Sequence, residues 1–152
     1  MKILMVCLGN ICRSPIAQGV LEQKVEKEGL DWTVDSAGTS SWHKGEPPDP
    51  PSIAEARRRG LDISHQRSRP LEIDDLEQFD LIFAMDQSNR QNILSMHPGG
   101  EDLEKKVRLI LEESHPGSGR EVPDPYWNDD GFSQVYDMLE TACEGIIRKY
   151  RR

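Results

Sequence analysis

The residues with the most chemistry in them lie near the start of the chain. Cys7-Leu8-Gly9-Asn10-Ile11-Cys12-Arg13-Ser14 is a cysteine, five intervening residues, an arginine and a serine. A thiolate is a strong nucleophile, and a guanidinium presents a planar fork of donors that matches two oxygens of a tetrahedral anion, as lysine cannot. Gly9 and Asn10 tolerate the left-handed backbone angles that a tight anion-binding loop demands. If the successive N–H groups of the loop curl round one anion at the head of a helix, the helix dipole and Arg13 favour both a Cys7 thiolate and the phosphoryl group it would attack. The Ser14 hydroxyl is placed to cap that helix and to donate toward the Cys7 sulfur. The bare spacing is a weak signal, so its meaning depends on what flanks it.

The flanks are a strand and a helix. Lys2-Ile3-Leu4-Met5-Val6 is a short apolar run suited to a strand buried on both faces, and Ser14-Pro15 reads as an N-cap followed by proline in the first helical turn. Ile16, Val20, Leu21 and Val25 then recur on one helical face until Gly29. Downstream, strands are expected at Trp32 to Asp35, Leu81 to Ala84 and Lys106 to Leu111. Helices are expected at about Ser52 to Arg59, Asp74 to Gln78, Gln87 to Met96 and Phe132 to Tyr150. Long loops occupy Ser36 to Pro51 and Glu112 to Gly131, and loops of that length usually carry function. This alternation implies one α/β domain over residues 1–152, an open parallel sheet with helices on both faces. Its ligand site should lie beyond the carboxyl ends of the strands.

Thiolate attack on a phosphate ester needs an acid for the leaving oxygen, then a base to activate water against the phosphocysteine. One carboxyl group can do both. In Asp124-Pro125-Tyr126-Trp127 a proline stiffens the backbone beside an aspartate, and two aromatics could wall a pocket. Cys143 lies on the apolar stripe of the last helix and reads as core. Arg57-Arg58-Arg59 reads as a complement to a helix dipole. The four histidines show no ligand pairing, so neither a metal nor a cofactor is expected. A net charge of −8 excludes general binding to nucleic acid or to anionic membranes, so a phosphate site must be a local exception. Three cysteines and an opening apolar run too short for a signal sequence lead to the expectation of a cytoplasmic protein with reduced thiols.

Four separated stretches together resemble the low-molecular-weight protein-tyrosine phosphatases. These are Val6 to Pro15; Asp35-Ser36-Ala37-Gly38-Thr39 with Trp42 and Pro48-Asp49-Pro50; Ala84-Met85-Asp86 with Ser88-Asn89; and Asp124-Pro125-Tyr126. The resemblance implies a four-stranded sheet, a phosphocysteine on Cys7, transition-state support from Arg13 and Asp124 as general acid. It makes Leu8, Gly9, Asn10, Ile11, Cys12, Arg13 and Ser14 the phosphate loop, with Asn10, Ser14 and His65 as its supports. Trp42, Tyr126 and Trp127 become the walls around a substrate ring. It also implies phosphotyrosine-containing proteins as substrates, an autophosphorylating tyrosine kinase among them, and inorganic phosphate as product; the sequence leaves the oligomeric state open, with a monomer favoured.

Two rivals share parts of the pattern. A thiol-dependent arsenate reductase needs a relay of further cysteines, and Cys143 lies on the final helix rather than in a mobile loop. A phosphocarrier or phosphopeptide-binding module would have no use for an acid poised to activate water.

Overall fold

The computed structural model describes residues 1–97, 100–125 and 130–151. Strands β1 (Lys2–Cys7), β2 (Thr33–Gly38), β3 (Leu81–Ala84) and β4 (Val107–Leu109) form one parallel sheet in the order β2-β1-β3-β4. Helices α1 (Arg13–Lys27), α2 (Pro50–Arg58), α3 (Ile73–Gln78), α4 (Gln87–Ser95), α5 (Gly100–Lys106) and α6 (Gly131–Tyr150) cover its two faces.

Alternation along β1 assigns the faces. Ile3, Met5 and Cys7 point into a core built with Ile16, Val20 and Leu21 of α1 and Val135, Leu139 and Ile146 of α6. Leu4 and Val6 point the other way, against Leu76 of α3, Ile93 of α4 and Leu103 of α5. Because β1 is central, its residues are apolar on both sides. Strand order runs outward in opposite directions from the β1–β3 pair, so the carboxyl end of β1 lies at the switch point where open α/β sheets bind ligands.

The boundaries depart from the sequence reading in instructive ways. β2 continues through Ser36, Ala37 and Gly38, which pair with Met5, Val6 and Cys7. Their small side chains let this segment run flush against the end of β1, and smallness looks like loop in a sequence. An ideal Cβ on Gly38 would lie 2.9 Å from the Leu8 carbonyl oxygen. α5 was not expected: GEDLEKK carries one buried apolar residue, Leu103, too few for a periodic signal, and is helped by acidic residues in its first turn and lysines in its last. β4 is shorter than expected, because Ile110–Glu113 turn into a 3₁₀ helix. α1 begins at Arg13, and Ser14 is not its N-cap.

Candidate active site

The loop from Cys7 to Arg13 is held from outside by its carbonyls. Those of Cys7 and Leu8 accept from the N–H groups of Thr39 (3.0 Å) and Ser40 (2.9 Å), and that of Ile11 accepts from Asp49 (2.7 Å). The Gly9 carbonyl accepts from the Ser68 hydroxyl at 2.9 Å, and the Cys12 carbonyl from Ile16 at 3.4 Å. By contrast, none of the N–H groups from Leu8 to Ser14 donates to an acceptor among the described residues. A loop that satisfies its acceptors and leaves a run of donors open, at the head of a fifteen-residue helix, is a receptor for an anion.

Asn10 sets the curl. At φ 55° it is the one non-glycine left-handed residue among those described, a conformation asparagine tolerates better than most. Its side chain, 2% exposed, is satisfied at both ends. Nδ2 donates to Ser14 Oγ (2.8 Å) and Ser36 Oγ (2.9 Å), while Oδ1 accepts from the Arg69 N–H at 3.0 Å. Ser36 in turn donates to Gln18 Oε1 at 2.6 Å. Since Ser14 Oγ accepts from Asn10, its own proton is left for the Cys7 sulfur 3.0 Å away. This explains why Ser14 does not cap α1: its hydroxyl is committed to the nucleophile.

Arg13 is held by one prong. Its Nη1 donates to Asp86 Oδ2 (2.8 Å) and to the Val122 carbonyl (3.0 Å), which leaves the Nε and Nη2 edge without an acceptor among the described residues. Burial opposes the charge, but a negative charge on the neighbouring Cys7, together with the hydrogen bond and charge of Asp86, outweighs it and raises the guanidinium pKa above its ordinary value. Asp86 also caps α4, its Oδ1 accepting from the Asn89 N–H at 2.8 Å.

Asp124 is exposed, two residues beyond Val122. Val122 is fixed on both sides, its N–H donating to the Met85 carbonyl (2.8 Å) and its carbonyl accepting from Arg13. On the other side of Asp124, Pro125 is buried against the start of α6, where a Cβ on Gly131 would fall 2.1 Å from the Pro125 carbonyl oxygen. The segment bearing Asp124 is thus tied to Arg13 and the head of α6. Tyr126 and Trp127 lie outside the described residues.

The remaining expectations divide. Leu8 and Trp42 are exposed, Trp42 at 79%. His65 is exposed, is charge-coupled to Glu22, and has no hydrogen bond to the loop. The adjoining Gln66 reaches the Pro15 carbonyl at 3.1 Å instead. Cys12 is buried, and burial pushes its thiol up to about 12, with a charge on Cys7 adding to the effect. Cys143 is fully buried against α1, facing the Ala17 carbonyl. Ser36, Ser68, Arg69, Asp86 and Val122 complete the site without having been assigned roles. Asp86 could have been found as the residue that follows β3 at the ligand-binding edge of the sheet, whereas the others support the loop through contacts far away in sequence. Among the described residues, no group of three His, Cys, Asp or Glu side chains could hold a metal ion.

Comparison with known proteins adds to this geometry. Residues 2–152 match the model of the family described as low molecular weight phosphotyrosine protein phosphatase. The enzyme of that name from Schizosaccharomyces pombe is 43% identical over 151 residues, covering 97% of this chain and 95% of its own. The crystal structure of a protein tyrosine phosphatase from Entamoeba histolytica, with Hepes in its active site, superposes with a TM-score of 0.89 at 39% identity, covering 98% of this chain and 96% of that one. An arginine phosphatase from Drosophila superposes with a TM-score of 0.90 at 33% identity, covering 100% and 99%. The chain belongs to the low-molecular-weight phosphotyrosine protein phosphatases and is an enzyme of that family.

Proposed function

We propose that the chain hydrolyses phosphotyrosine on proteins, and small aryl phosphates, through a phosphocysteine on Cys7. The observation that carries this reading is the open run of N–H groups from Leu8 to Ser14 around a buried sulfur that faces the Ser14 hydroxyl. The Cys7 thiolate attacks phosphorus and the bond to the tyrosyl oxygen breaks, with Asp124 giving its proton to that oxygen. Water then attacks the phosphocysteine and yields its proton to Asp124. The P–S bond breaks, inorganic phosphate leaves and the thiolate returns. As the transferring group flattens, its equatorial oxygens meet the loop donors and the free edge of Arg13, donors already in place before the reaction.

An aryl substrate is favoured by Leu8, an exposed apolar side chain next to the nucleophile, and by the exposed Trp42, which follows Thr39 and Ser40, both hydrogen-bonded to the loop. Buried, unpaired thiols at Cys7, Cys12 and Cys143 support action in a reducing compartment, the cytoplasm, and no described helix is long and apolar enough to cross a membrane. The test is steady-state release of phosphate from phosphotyrosyl peptide, p-nitrophenyl phosphate and phosphoarginine, with and without chelator. Expected are sustained turnover of both aryl substrates, indifference to chelator and loss in Cys7→Ser. Stoichiometric phosphorylation without release would make the chain a carrier. Faster turnover of phosphoarginine would move it to the activity of the Drosophila relative.

A further inference from the structure

A groove of about 530 Å³ lies beside the catalytic mouth, lined by His43, Glu46, Asp49, three prolines (Pro47, Pro48 and Pro50) and Ile53, with Arg57 also on its lining. Two contacts make it continuous with the phosphate loop. The His43 ring sits against Gly9, whose ideal Cβ would be 3.0 Å from His43 Cδ2, and the Asp49 N–H donates to the Ile11 carbonyl at 2.7 Å. A phosphotyrosyl chain seated over Cys7 would lay its flanking residues against this wall.

The charges of the groove are unevenly spent. Glu46 is paired with His43 Nδ1, and Arg57 faces Asp62 at 4.0 Å. Asp49 stands at the N-cap of α2, yet its carboxylate makes no capping bond and has neither a hydrogen-bond nor an ion-pair partner among the described residues. It is half-buried, and burial, opposed by His43 and reinforced by Glu46, raises its pKa above the ordinary carboxylate value. A partly desolvated carboxylate without a partner gains most from an incoming cation.

We infer that Asp49, seconded by Glu46, is a specificity-determining residue that selects phosphotyrosyl segments carrying a lysine or arginine beside the phosphotyrosine. The apolar floor of prolines and Ile53 would carry the aliphatic stem of that side chain and the carboxylates its head. An acidic neighbour would meet both carboxylates on a chain whose net charge is already −8, so the same lip rejects as well as selects. This inference rests on the hydrolase reading and names the substrate class of that site.

The test is kcat/KM for a set of phosphotyrosyl peptides with Lys, Ala or Glu placed in turn at the two positions on either side of phosphotyrosine. The set is measured with wild type, Asp49→Asn and Asp49→Lys. Each ranking is a ratio within one enzyme, so a general change in activity cancels. Wild type should favour Lys over Ala by roughly fivefold at one position, the range of a partly exposed ion pair, and less at high salt. Asp49→Asn, which keeps a good N-cap residue, should level the ranking, and Asp49→Lys should turn it toward Glu. A wild-type preference for Glu, no preference at any position, or a Lys preference that survives in Asp49→Asn would overturn the inference while leaving the hydrolase reading intact. Failure of wild type to turn over any peptide or p-nitrophenyl phosphate would remove that reading, and the inference with it.

Discussion

Ser14→Ala isolates the part of the site that acts on the departing sulfur. The Ser14 hydroxyl lies 3.0 Å from Cys7 Sγ and accepts from Asn10 Nδ2 at 2.8 Å, so its proton points at the sulfur. A hydrogen bond to a charged group contributes about 1.5–3 kcal/mol. When phosphocysteine breaks down, negative charge develops on that sulfur, and loss of the bond should slow this step by roughly 10- to 100-fold at 1.36 kcal/mol per decade. The forward attack suffers less, because a less stabilised thiolate is also a stronger nucleophile. kcat should therefore fall much more than kcat/KM, and phosphocysteine should accumulate. Stopped-flow mixing of the variant with p-nitrophenyl phosphate should then show a burst of about one p-nitrophenolate per active site before the slow steady phase. Asn10 would lose an acceptor in a buried position, which costs about 1–3 kcal/mol of stability and should appear as a lower unfolding midpoint. Equal falls in kcat and kcat/KM, with no burst, would refute the reasoning and reduce Ser14 to a support for the loop.

Asp124→Asn should lower kcat/KM for phosphotyrosine by about 10²- to 10⁴-fold and for p-nitrophenyl phosphate by less, since the better leaving group needs less of a proton; equal losses would remove Asp124 from the acid role. Peroxide should convert Cys7 to a sulfenic acid that the Cys12 thiol displaces as a disulfide with loss of water. Because burial holds the Cys12 thiol up at about 12, capture should speed up with pH across the neutral range, and Cys12→Ser should lose its recovery with dithiothreitol. Cys143→Ser should keep nearly full activity, as that thiol is buried against α1 away from the loop, and a large loss would assign the thiol more than packing.

The strand–loop–helix that carries Cys7 and Arg13 was legible because local signals agree there: an apolar run, Gly9-Asn10 and Ser14-Pro15 each favour the same geometry. Ser14 misled because its local signal, a serine just before Pro15, is outranked by the tertiary demands of Cys7 and Asn10. The arginine triplet shows the same limit. Arg57 and Arg58 stand in the last turn of α2 as a dipole argument requires. Arg59 instead bridges Glu55 (2.9 Å) and Asp137 (2.7 Å) and lies over the Tyr136 ring, partners more than 70 residues away except for Glu55. Such contacts leave no periodic trace in the sequence. Nor do the serines that hold the loop, since Ser36 and Ser68 look like any polar residue in a Ser-rich segment until β2 is seen to end beside the nucleophile.

How a chain of net charge −8 comes to hold a phosphate follows from where its positive field originates. Most of that field is not carried by side chains. The open N–H groups and the head of α1 supply partial charges that cannot be neutralised by a surface carboxylate, because they belong to a loop whose Cys7, Leu8, Gly9 and Ile11 carbonyls are bonded to the surrounding chain. The single formal cation, Arg13, is paired with Asp86, yet the pairing uses only Nη1 and so fixes the orientation of the guanidinium without consuming the edge that meets the anion. The acidic surface then acts on partners rather than on the site. At distances beyond about a Debye length, roughly 8 Å, it is screened, so it does not expel a phosphate already in the loop. Within that range it acts through Glu46 and Asp49 at the lip, on whichever residues the substrate brings beside its phosphotyrosine.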